Sequence, residues 1–337
     1  MPGYDSQAVV RDVAESGSPP MRRRKAILVV GMSRSGTSLI SHILHTLGAT
    51  LPDELIGPDR GNPSGHWEPR ALVDINNRIL SHLGLAWDDP RPLPESWFRS
   101  GEAHAFTLQI MARIEQDYGE SRLALIKDPR LCRLLPLYSE ALDMLDIEAT
   151  VVLQVRPVAE IARSLAERDG MCPVLAALLW LRSVTEAEWH SRHHRRIWLG
   201  FAQVTTDWRD SVRRVAQHFD VTWPVHPADA ARRVAALLRP RSRDAEWIES
   251  NTELPALPFM RAWDAIAAGI AGDEVAAQAG FDVVRASLHA ADQLYTPIVM
   301  DLMRRHAAQL QAIRASTCWR LTAPLRVLKQ YASGFTV

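Results

Sequence analysis

Short apolar runs alternate with amphipathic segments over most of the chain. Four apolar runs rich in β-branched residues have the pattern of strands buried on both faces, and they cover residues 26–30, 123–126, 150–155 and 197–202. A helical spacing of apolar residues follows each run, at residues 39–47, 131–143, 158–168 and 207–219. This order predicts right-handed crossovers and an α/β fold, with a central parallel sheet covered by helices on both faces.

The two ends of the chain depart from this alternation. Residues 1–22 are polar and aperiodic, which predicts a disordered tail. One domain is expected over residues 23–250. A linker is predicted at residues 251–258, and apolar residues at helical spacing predict a long helix over residues 282–314. Residues 251–337 are therefore predicted to form a helical C-terminal extension.

Charge and cysteine content exclude several classes of protein. The 39 Lys and Arg residues balance 39 Asp and Glu residues, which argues against a nucleic-acid-binding protein. Cys132, Cys172 and Cys318 are far apart and give neither a disulfide framework nor a metal-ligand spacing. No apolar run has the roughly 18 to 20 residues of a membrane span, and the N-terminus has no secretory signal. These features predict a cytoplasmic protein that requires no metal.

Residues 31–38, Gly-Met-Ser-Arg-Ser-Gly-Thr-Ser, connect the first predicted strand to the first predicted helix. Gly31 and Gly36 have the spacing of a phosphate-binding loop, in which backbone N–H groups and a helix N-terminus bind oxyanions. Thr37 stands in place of the lysine of that motif, whereas Arg34 supplies a cation within the loop. The segment is either an anion site or a tight strand–helix turn. The residues of the anion site would be Ser33, Arg34, Ser35, Gly36, Thr37 and Ser38.

A second motif follows the third predicted strand. Arg156 stands at the end of this strand, and Ser164 lies in the helix that follows. A guanidinium and a hydroxyl in these positions can hold one phosphate from two sides. The alternative is a surface arginine before a helix that begins at Pro157.

Several segments carry a resemblance to the sulfotransferases that use 3′-phosphoadenosine 5′-phosphosulfate (PAPS). "VVGMSRSGTSLISHIL" resembles the loop of this family that binds the 5′-phosphosulfate. Other segments within residues 25–245 are similar to blocks of bacterial members, namely "NPSGHWEP", "IKDPRLCRLLP", "RPVAEIARSLAERDG" and "TTDWR". The resemblance implies a P-loop-like three-layer fold, PAPS as sulfuryl donor, and a hydroxyl or amine as acceptor. It also implies that Arg156 and Ser164 bind the 3′-phosphate.

The same resemblance implies catalytic roles. Arg34 is expected to stabilise the leaving oxygen as the product PAP departs, because charge accumulates there during transfer. Lys127 stands at a strand end where glycan sulfotransferases often carry a lysine near the transferring sulfonate, although it is equally well placed for a salt bridge with Asp128. The general base is either Glu68, which resembles the catalytic carboxylate of the family by position, or His66, because histidine titrates near neutral pH.

Two features bear on the acceptor. Trp67, between the two candidate bases, either anchors its loop in the core or stacks on a sugar ring. Residues 316–326 are similar to the tails of bacterial glycosyltransferases of polysaccharide assembly. The basic and apolar residues of this C-terminal end predict either a helix at the inner membrane surface or a segment that packs against its own domain or a partner subunit. We therefore expect the acceptor to be a hydroxyl of a cell-surface carbohydrate or glycolipid.

Two other functions stay open from the sequence alone. One is a P-loop kinase that uses ATP and Mg²⁺, against which stand Thr37 in the lysine position and the pair of Arg156 and Ser164. The other is a catalytically inactive protein of the sulfotransferase fold that serves in a glycan-assembly complex. The sequence does not indicate an oligomeric state.

Overall fold

The structure, a computed structural model, describes residues 23–59, 61–63, 65–238 and 256–323. The predicted tail at residues 1–22, most of the predicted linker and the C-terminal residues from 324 onward lie outside the described residues. The predicted membrane helix therefore stays a prediction, as do the domain limits.

Four parallel strands form the central sheet, in the order β2-β1-β3-β4. They are β1 (Lys25–Val30), β2 (Leu123–Lys127), β3 (Glu148–Val155) and β4 (Arg195–Gly200). Three of the four predicted runs match these strands closely, and the α/β prediction is confirmed. The fourth strand ends two residues earlier than predicted, because the side chain of Gln203 accepts a hydrogen bond from the Gly200 N–H at 3.1 Å and a helix begins at Phe201.

Twelve helices are described in the parts of the chain given above. They are α1 (Thr37–Thr46), α2 (Arg70–His82), α3 (Gly101–Tyr118), α4 (Leu131–Met144), α5 (Val158–Asp169), α6 (Pro173–Ser191), α7 (Phe201–Thr206), α8 (Trp208–Phe219), α9 (Pro227–Ala235), α10 (Ala256–Ala271), α11 (Glu274–Ala315) and α12 (Thr317–Leu321). A 3₁₀ turn covers Glu95–Arg99.

The sheet is buried on both faces, as the apolar runs predicted. Alternate residues of β1 point to opposite sides: Leu28 and Val30 join one apolar cluster, and Ile27 and Val29 join the other. Helices α3 to α6, α10 and α11 pack in the first cluster, and α1, α8 and α9 pack in the second. The protein is therefore a three-layer α/β/α structure.

The chain leaves the neighbouring strands β1 and β3 toward opposite faces of the sheet. α1, which follows β1, packs in the cluster of Ile27 and Val29, whereas α5, which follows β3, packs in the other cluster. Open parallel sheets bind ligands at such a point, beyond the carboxyl ends of the strands. The loop that begins at Gly31, the end of β2 at Lys127 and the residue after β3, Arg156, all lie at this edge.

Helix α10 and the first turns of α11 belong to the core. Phe281 of α11 is fully buried and stacks on Trp198 of β4, with ring centroids 5.7 Å apart and an angle of 11° between the ring planes. α11 begins at Glu274 rather than at residue 282, because the side chain of Asp273 accepts a hydrogen bond from the Ala276 N–H at 3.0 Å. The last residues of the predicted linker, 256–258, lie in α10. The predicted helix is thus confirmed, with an earlier start.

A group of charged residues, buried at Arg196 and Glu188 and exposed at Asp282, fixes α11 to the sheet and to α6. Arg196 of β4 pairs with Glu188 at 3.0 Å and with Glu274 at 2.7 Å. Arg192 pairs with the second oxygen of Glu188 at 2.9 Å and with Asp282 at 2.7 Å. We call these five residues the charged clasp.

The far part of α11 has a different environment. Its apolar side chains Leu294, Ile298, Leu302 and Leu310 are exposed. In the part of the chain that the structure describes, no helix combines the length and the apolar character needed to cross a bilayer.

We predict that Phe281→Ala lowers the free energy of unfolding by about 3–5 kcal/mol, because it leaves a cavity in the core and removes the stack on Trp198. Urea denaturation measures the change, with Val283→Ala on an exposed turn of the same helix as the matched control. An equally small effect of both substitutions would show that α11 does not belong to the main core.

Candidate active site

The loop between β1 and α1 needs glycine at two positions. A Cβ atom on Gly31 would lie 2.3 Å from the carbonyl oxygen of Gln154, and one on Gly36 would lie 2.4 Å from a ring carbon of Phe201. Gly36 also has a φ of 99°, in the left-handed region. The two glycines let the loop lie directly against the ends of β3 and β4. The spacing found in the sequence therefore reflects close backbone packing.

Hydrogen bonds within the loop assign a structural role to Ser35. Its N–H and its hydroxyl both donate to the carbonyl of Met32, at 3.1 and 2.7 Å. The side-chain amide of Gln154 donates to the Ser35 carbonyl at 3.3 Å. Ser35 therefore shapes the turn. The N-cap of α1 is Gly36, which has no side chain to cap the helix, so no cap side chain covers the first-turn N–H groups that follow it.

Arg34 and Arg156 meet at this edge. The Arg34 Nε donates to the Ser164 hydroxyl at 2.9 Å, and its Nη1 donates to the Gly61 carbonyl at 3.0 Å. Arg156 donates from Nη1 to the Arg34 carbonyl at 3.2 Å and pairs with Glu160 at 2.7 Å. The predicted loop and the predicted Arg–Ser motif are therefore adjacent, but Ser164 contacts Arg34 rather than Arg156.

Lys127 is buried, and its counter-ion is Glu68. The Lys127 Nζ lies 2.5 Å from Glu68 Oε1, and both side chains are largely shielded from solvent, with 2% and 9% exposed. The same ammonium donates to the His66 carbonyl at 3.0 Å and to the Ser38 hydroxyl at 3.4 Å. The salt bridge between Lys127 and Asp128, one of the two sequence-based alternatives, is wrong.

Asp128 instead joins a buried polar group that sequence reasoning missed. Its carboxylate accepts hydrogen bonds from the Asn76 side chain at 2.9 Å and from the Arg130 guanidinium at 2.8 Å. The Tyr138 hydroxyl donates to the side-chain oxygen (Oδ1) of Asn76 at 3.1 Å. These bonds hold Arg130 beside the site, 3.9 Å from Glu68 Oε2. No sequence pattern joins Asn76 to Asp128, since they lie on different elements.

A second residue that the sequence did not reveal is Asp59. Its Oδ2 lies 2.9 Å from His66 Nε2, while its Oδ1 accepts a hydrogen bond from the Asn62 N–H at 2.6 Å. The hydrogen bond with His66 is the main reason that the pKa of Asp59 is lowered. His66 Nδ1 lies 3.9 Å from Glu68 Oε1. The two candidate bases are therefore neighbours, and Asp59 orients one of them.

Trp67 anchors its loop on α1. Its ring stacks on His42, with centroids 3.8 Å apart, and its backbone has a φ of 61°. Burial, and to a smaller extent the neighbouring His45, lowers the pKa of His42 to about 4, so this imidazole is neutral at pH 7. A neutral ring suits the stack. Trp67 is half-buried and also lines a cavity at this edge of the sheet, so its role as a sugar-stacking residue stays a prediction.

Two adjoining cavities open at this edge of the sheet. The first has a volume of about 430 Å³ and is lined by residues of the loop, both arginines, Lys127 and Glu68. The second has a volume of about 560 Å³ and is lined by Asp59, Trp87 and Arg130 among others. The residues that line both cavities are Ser33, Gly61, His66, Glu68, Pro129 and Arg168. His66 and Glu68 therefore lie where the two cavities adjoin.

No protein-family model and no curated protein matches this chain. Three solved structures are similar at low identity. The sulfotransferase domain of the Synechococcus PCC 7002 olefin synthase is 17% identical, with 71% of this chain and 84% of that chain covered and a TM-score of 0.39. The sulfotransferase domain of the curacin biosynthetic pathway is 14% identical, with 66% and 80% covered and a TM-score of 0.37. A sulfotransferase from Mycobacterium tuberculosis is 15% identical, with 74% and 77% covered and a TM-score of 0.39. Similarity at this level does not identify a function.

We predict that Lys127→Met lowers the free energy of unfolding by about 3–5 kcal/mol, because the buried Glu68 loses its closest counter-ion and keeps only Arg130 at 3.9 Å. The double variant Lys127→Met/Glu68→Gln should regain most of this loss, since neither side chain is then charged. Lys25→Met, at the opposite end of the sheet, is the control, because Lys25 pairs with the more exposed Glu148 and Asp220. Urea denaturation of the four proteins measures the differences, and a double variant no more stable than Lys127→Met would contradict the pairing.

We also predict that stability falls with acid partly through His42. The unfolded chain binds a proton at this side chain near pH 6.5, whereas the folded protein does so only near pH 4. Between these values the unfolded state binds more protons, so the free energy of unfolding decreases as the pH falls through this window. His42→Phe, which keeps a ring against Trp67, should show a smaller decrease between pH 7 and pH 5 than the native protein. His289→Phe, at an exposed site, should show the native decrease.

Proposed function

We propose that this protein transfers the sulfuryl group of PAPS to a hydroxyl of a carbohydrate-containing acceptor. One observation carries the proposal: a single cavity contains the glycine loop with the α1 N-terminus, the cations Arg34, Arg156 and Lys127, and the candidate bases His66 and Glu68. This set matches the needs of the reaction, which are a site for a large anion, cations at the transferred group, and a group that accepts the proton of the hydroxyl.

The donor has two anionic ends, and the cavity offers a site for each. First-turn N–H groups of α1 and the Arg34 guanidinium suit the phosphosulfate, because a helix N-terminus and an arginine both favour an oxyanion. Arg156 and Ser164 are proposed to hold the 3′-phosphate, which carries about two negative charges at neutral pH. Arg34 contacts both Ser164 and the carbonyl of Gly61, so binding of the donor exchanges contacts within the protein for charge-assisted bonds to phosphate.

The chemistry is an in-line displacement at sulfur. As the acceptor oxygen bonds to sulfur, the bond from sulfur to the bridging oxygen breaks and negative charge accumulates on that oxygen. Arg34 and the α1 N-terminus are proposed to stabilise this charge. Lys127, whose ammonium contacts the Ser38 hydroxyl at 3.4 Å, is proposed to exchange this longest of its three contacts for a sulfonate oxygen. The proton of the acceptor passes to His66 or Glu68.

The second cavity is proposed as the acceptor site. It adjoins the donor cavity at His66 and Glu68, and its wall includes Trp87 with the Arg168 guanidinium 5.9 Å from the ring centroid. Arg130 and Asp169 add polar groups to this wall. A flat aromatic face beside charged groups suits a sugar, which offers hydroxyls and an apolar ring face.

We predict that PAP raises the melting temperature of the protein and that ATP with Mg²⁺ does not. A ligand at 100 times its dissociation constant stabilises the folded state by about 2.7 kcal/mol, which thermal-shift assays detect easily. In parallel, radiolabelled PAPS incubated with protein and cell-envelope extract should yield a labelled carbohydrate product. Stabilisation by ATP and Mg²⁺ without stabilisation by PAP would favour the kinase and reject the sulfotransferase.

The same assay tests the binding residues. Arg156→Ala and Arg34→Ala should each weaken PAP binding by about 10- to 100-fold, because each removes a hydrogen bond between a guanidinium and a charged phosphate. Arg213→Ala, on an exposed turn of α8, is the control and should bind PAP as the native protein does. Native affinity in Arg156→Ala would reject the proposed 3′-phosphate site.

A further inference from the structure

Two neighbouring side chains, Glu68 and His66, compete for the role of proton acceptor, and their surroundings differ. Glu68 is held by Lys127 at 2.5 Å and lies 3.9 Å from Arg130. A proton on Glu68 would leave the buried Lys127 ammonium without its counter-ion, which is costly in an interior with little solvent. Glu68 therefore suits the role of counter-ion better than that of base.

His66 is positioned from two sides. Its carbonyl accepts hydrogen bonds from Lys127 Nζ at 3.0 Å and from the Ser38 hydroxyl at 3.1 Å, so the main chain is fixed to β2 and to α1. Its imidazole is held by Asp59 through Nε2 at 2.9 Å. Asp59 is itself held in a turn by the Asn62 N–H. Rotation of the ring away from Asp59 would therefore lose the hydrogen bond at Nε2.

The contact with Asp59 decides which nitrogen of His66 can accept a proton. An ionised carboxylate only accepts hydrogen bonds, so Nε2 must carry the hydrogen and Nδ1 carries the lone pair in the neutral ring. Nδ1 lies on the side of Glu68, 3.9 Å from Oε1. His66 and Glu68 line both cavities, whereas Asp59 lines only the second, so the lone pair lies where the proposed donor and acceptor cavities adjoin.

We propose that Asp59 is a positioning residue for proton transfer: it holds His66 in the tautomer whose Nδ1 accepts the proton of the acceptor hydroxyl, while Glu68 serves as counter-ion of Lys127. This inference rests on the proposed sulfotransferase function. In the step, the acceptor O–H bond breaks, its proton goes to His66 Nδ1, and its oxygen forms the bond to sulfur. The bond from sulfur to the bridging oxygen breaks at the same time, and PAP leaves with that electron pair. The imidazolium, between the carboxylates of Asp59 and Glu68, later releases the proton to solvent.

Charged groups surround His66 on several sides. Asp59 faces Nε2, Glu68 faces Nδ1, and Lys127 contacts the carbonyl. Arg130 lies beyond Glu68, and Arg168 lines both cavities. Asp59→Asn removes the carboxylate at Nε2 and leaves the other charged groups in place, so its effect on transfer reports on this one contact of His66.

The test is a double-variant cycle on sulfuryl transfer from labelled PAPS. Asp59→Asn should lower kcat by about 10- to 100-fold without a change in the KM for PAPS, a part of the 10²–10⁴-fold that general base catalysis contributes. In a His66→Ala background the same substitution should change kcat less than about twofold, because the two residues act as one unit. Asp53→Asn, an exposed position before the same loop, should keep native activity, and melting temperatures verify that all variants fold. Equal effects of Asp59→Asn in both backgrounds would overturn the inference.

A second measurement separates this inference from the proposed function. Nitrogen-15 NMR of histidine-labelled protein reports the tautomer of His66 without any substrate, and the resonance is assigned by its loss in His66→Ala. We expect the Nε2–H tautomer in the native protein and a mixture in Asp59→Asn. The same tautomer in both proteins would reject the role of Asp59 even in an active enzyme. Absence of transfer by the native protein, with the expected tautomers, would reject the sulfotransferase function and with it the catalytic part of this inference.

Discussion

The buried ion pair of Lys127 and Glu68 is the contact on which the organisation of the site depends. A lysine ammonium has three donors, and here they go to Glu68, to the His66 carbonyl and to the Ser38 hydroxyl. One side chain thus connects the end of β2, the first turn of α1 and the segment before α2. The Lys127 ammonium is shielded from solvent, and its charge is compensated by the Glu68 carboxylate at 2.5 Å. The pair therefore determines where the residues between the two cavities lie.

Much of this edge could be predicted from the sequence, because its features are local. An apolar run, two glycines and a helical pattern are contiguous, and they correctly placed the loop and α1. The position of Lys127 at a strand end followed from the same kind of pattern. The partners could not be predicted in this way. Glu68 and Asp59 belong to a segment with no periodicity, and its path across the sheet edge brings them to Lys127 and His66.

The C-terminal helices show a similar division between local and long-range information. The spacing of apolar residues predicted a long helix, and α11 is present. The sequence did not show that Phe281 would stack on Trp198 or that Arg196 would reach Glu274, since each contact joins residues far apart in the chain. The helix begins earlier than predicted for a local reason, namely the cap by Asp273. Part of what was predicted as an extension completes the core on one face of the sheet.

The charged clasp bears on how α11 is held against the rest of the structure. Apolar packing alone tolerates sliding of one helix along another, whereas paired charges with fixed partners accept only one register. Arg192 and Arg196 fix the base of α11 through Asp282 and Glu274. The helix has 42 residues and is therefore about 63 Å long at 1.5 Å per residue. Arg182 holds Asp292 of the same helix at 2.6 Å, so the attachment continues well past the clasp. The clasp and this pair together fix the first half of α11, and the exposed second half follows Pro297, whose missing N–H interrupts the helical hydrogen bonds.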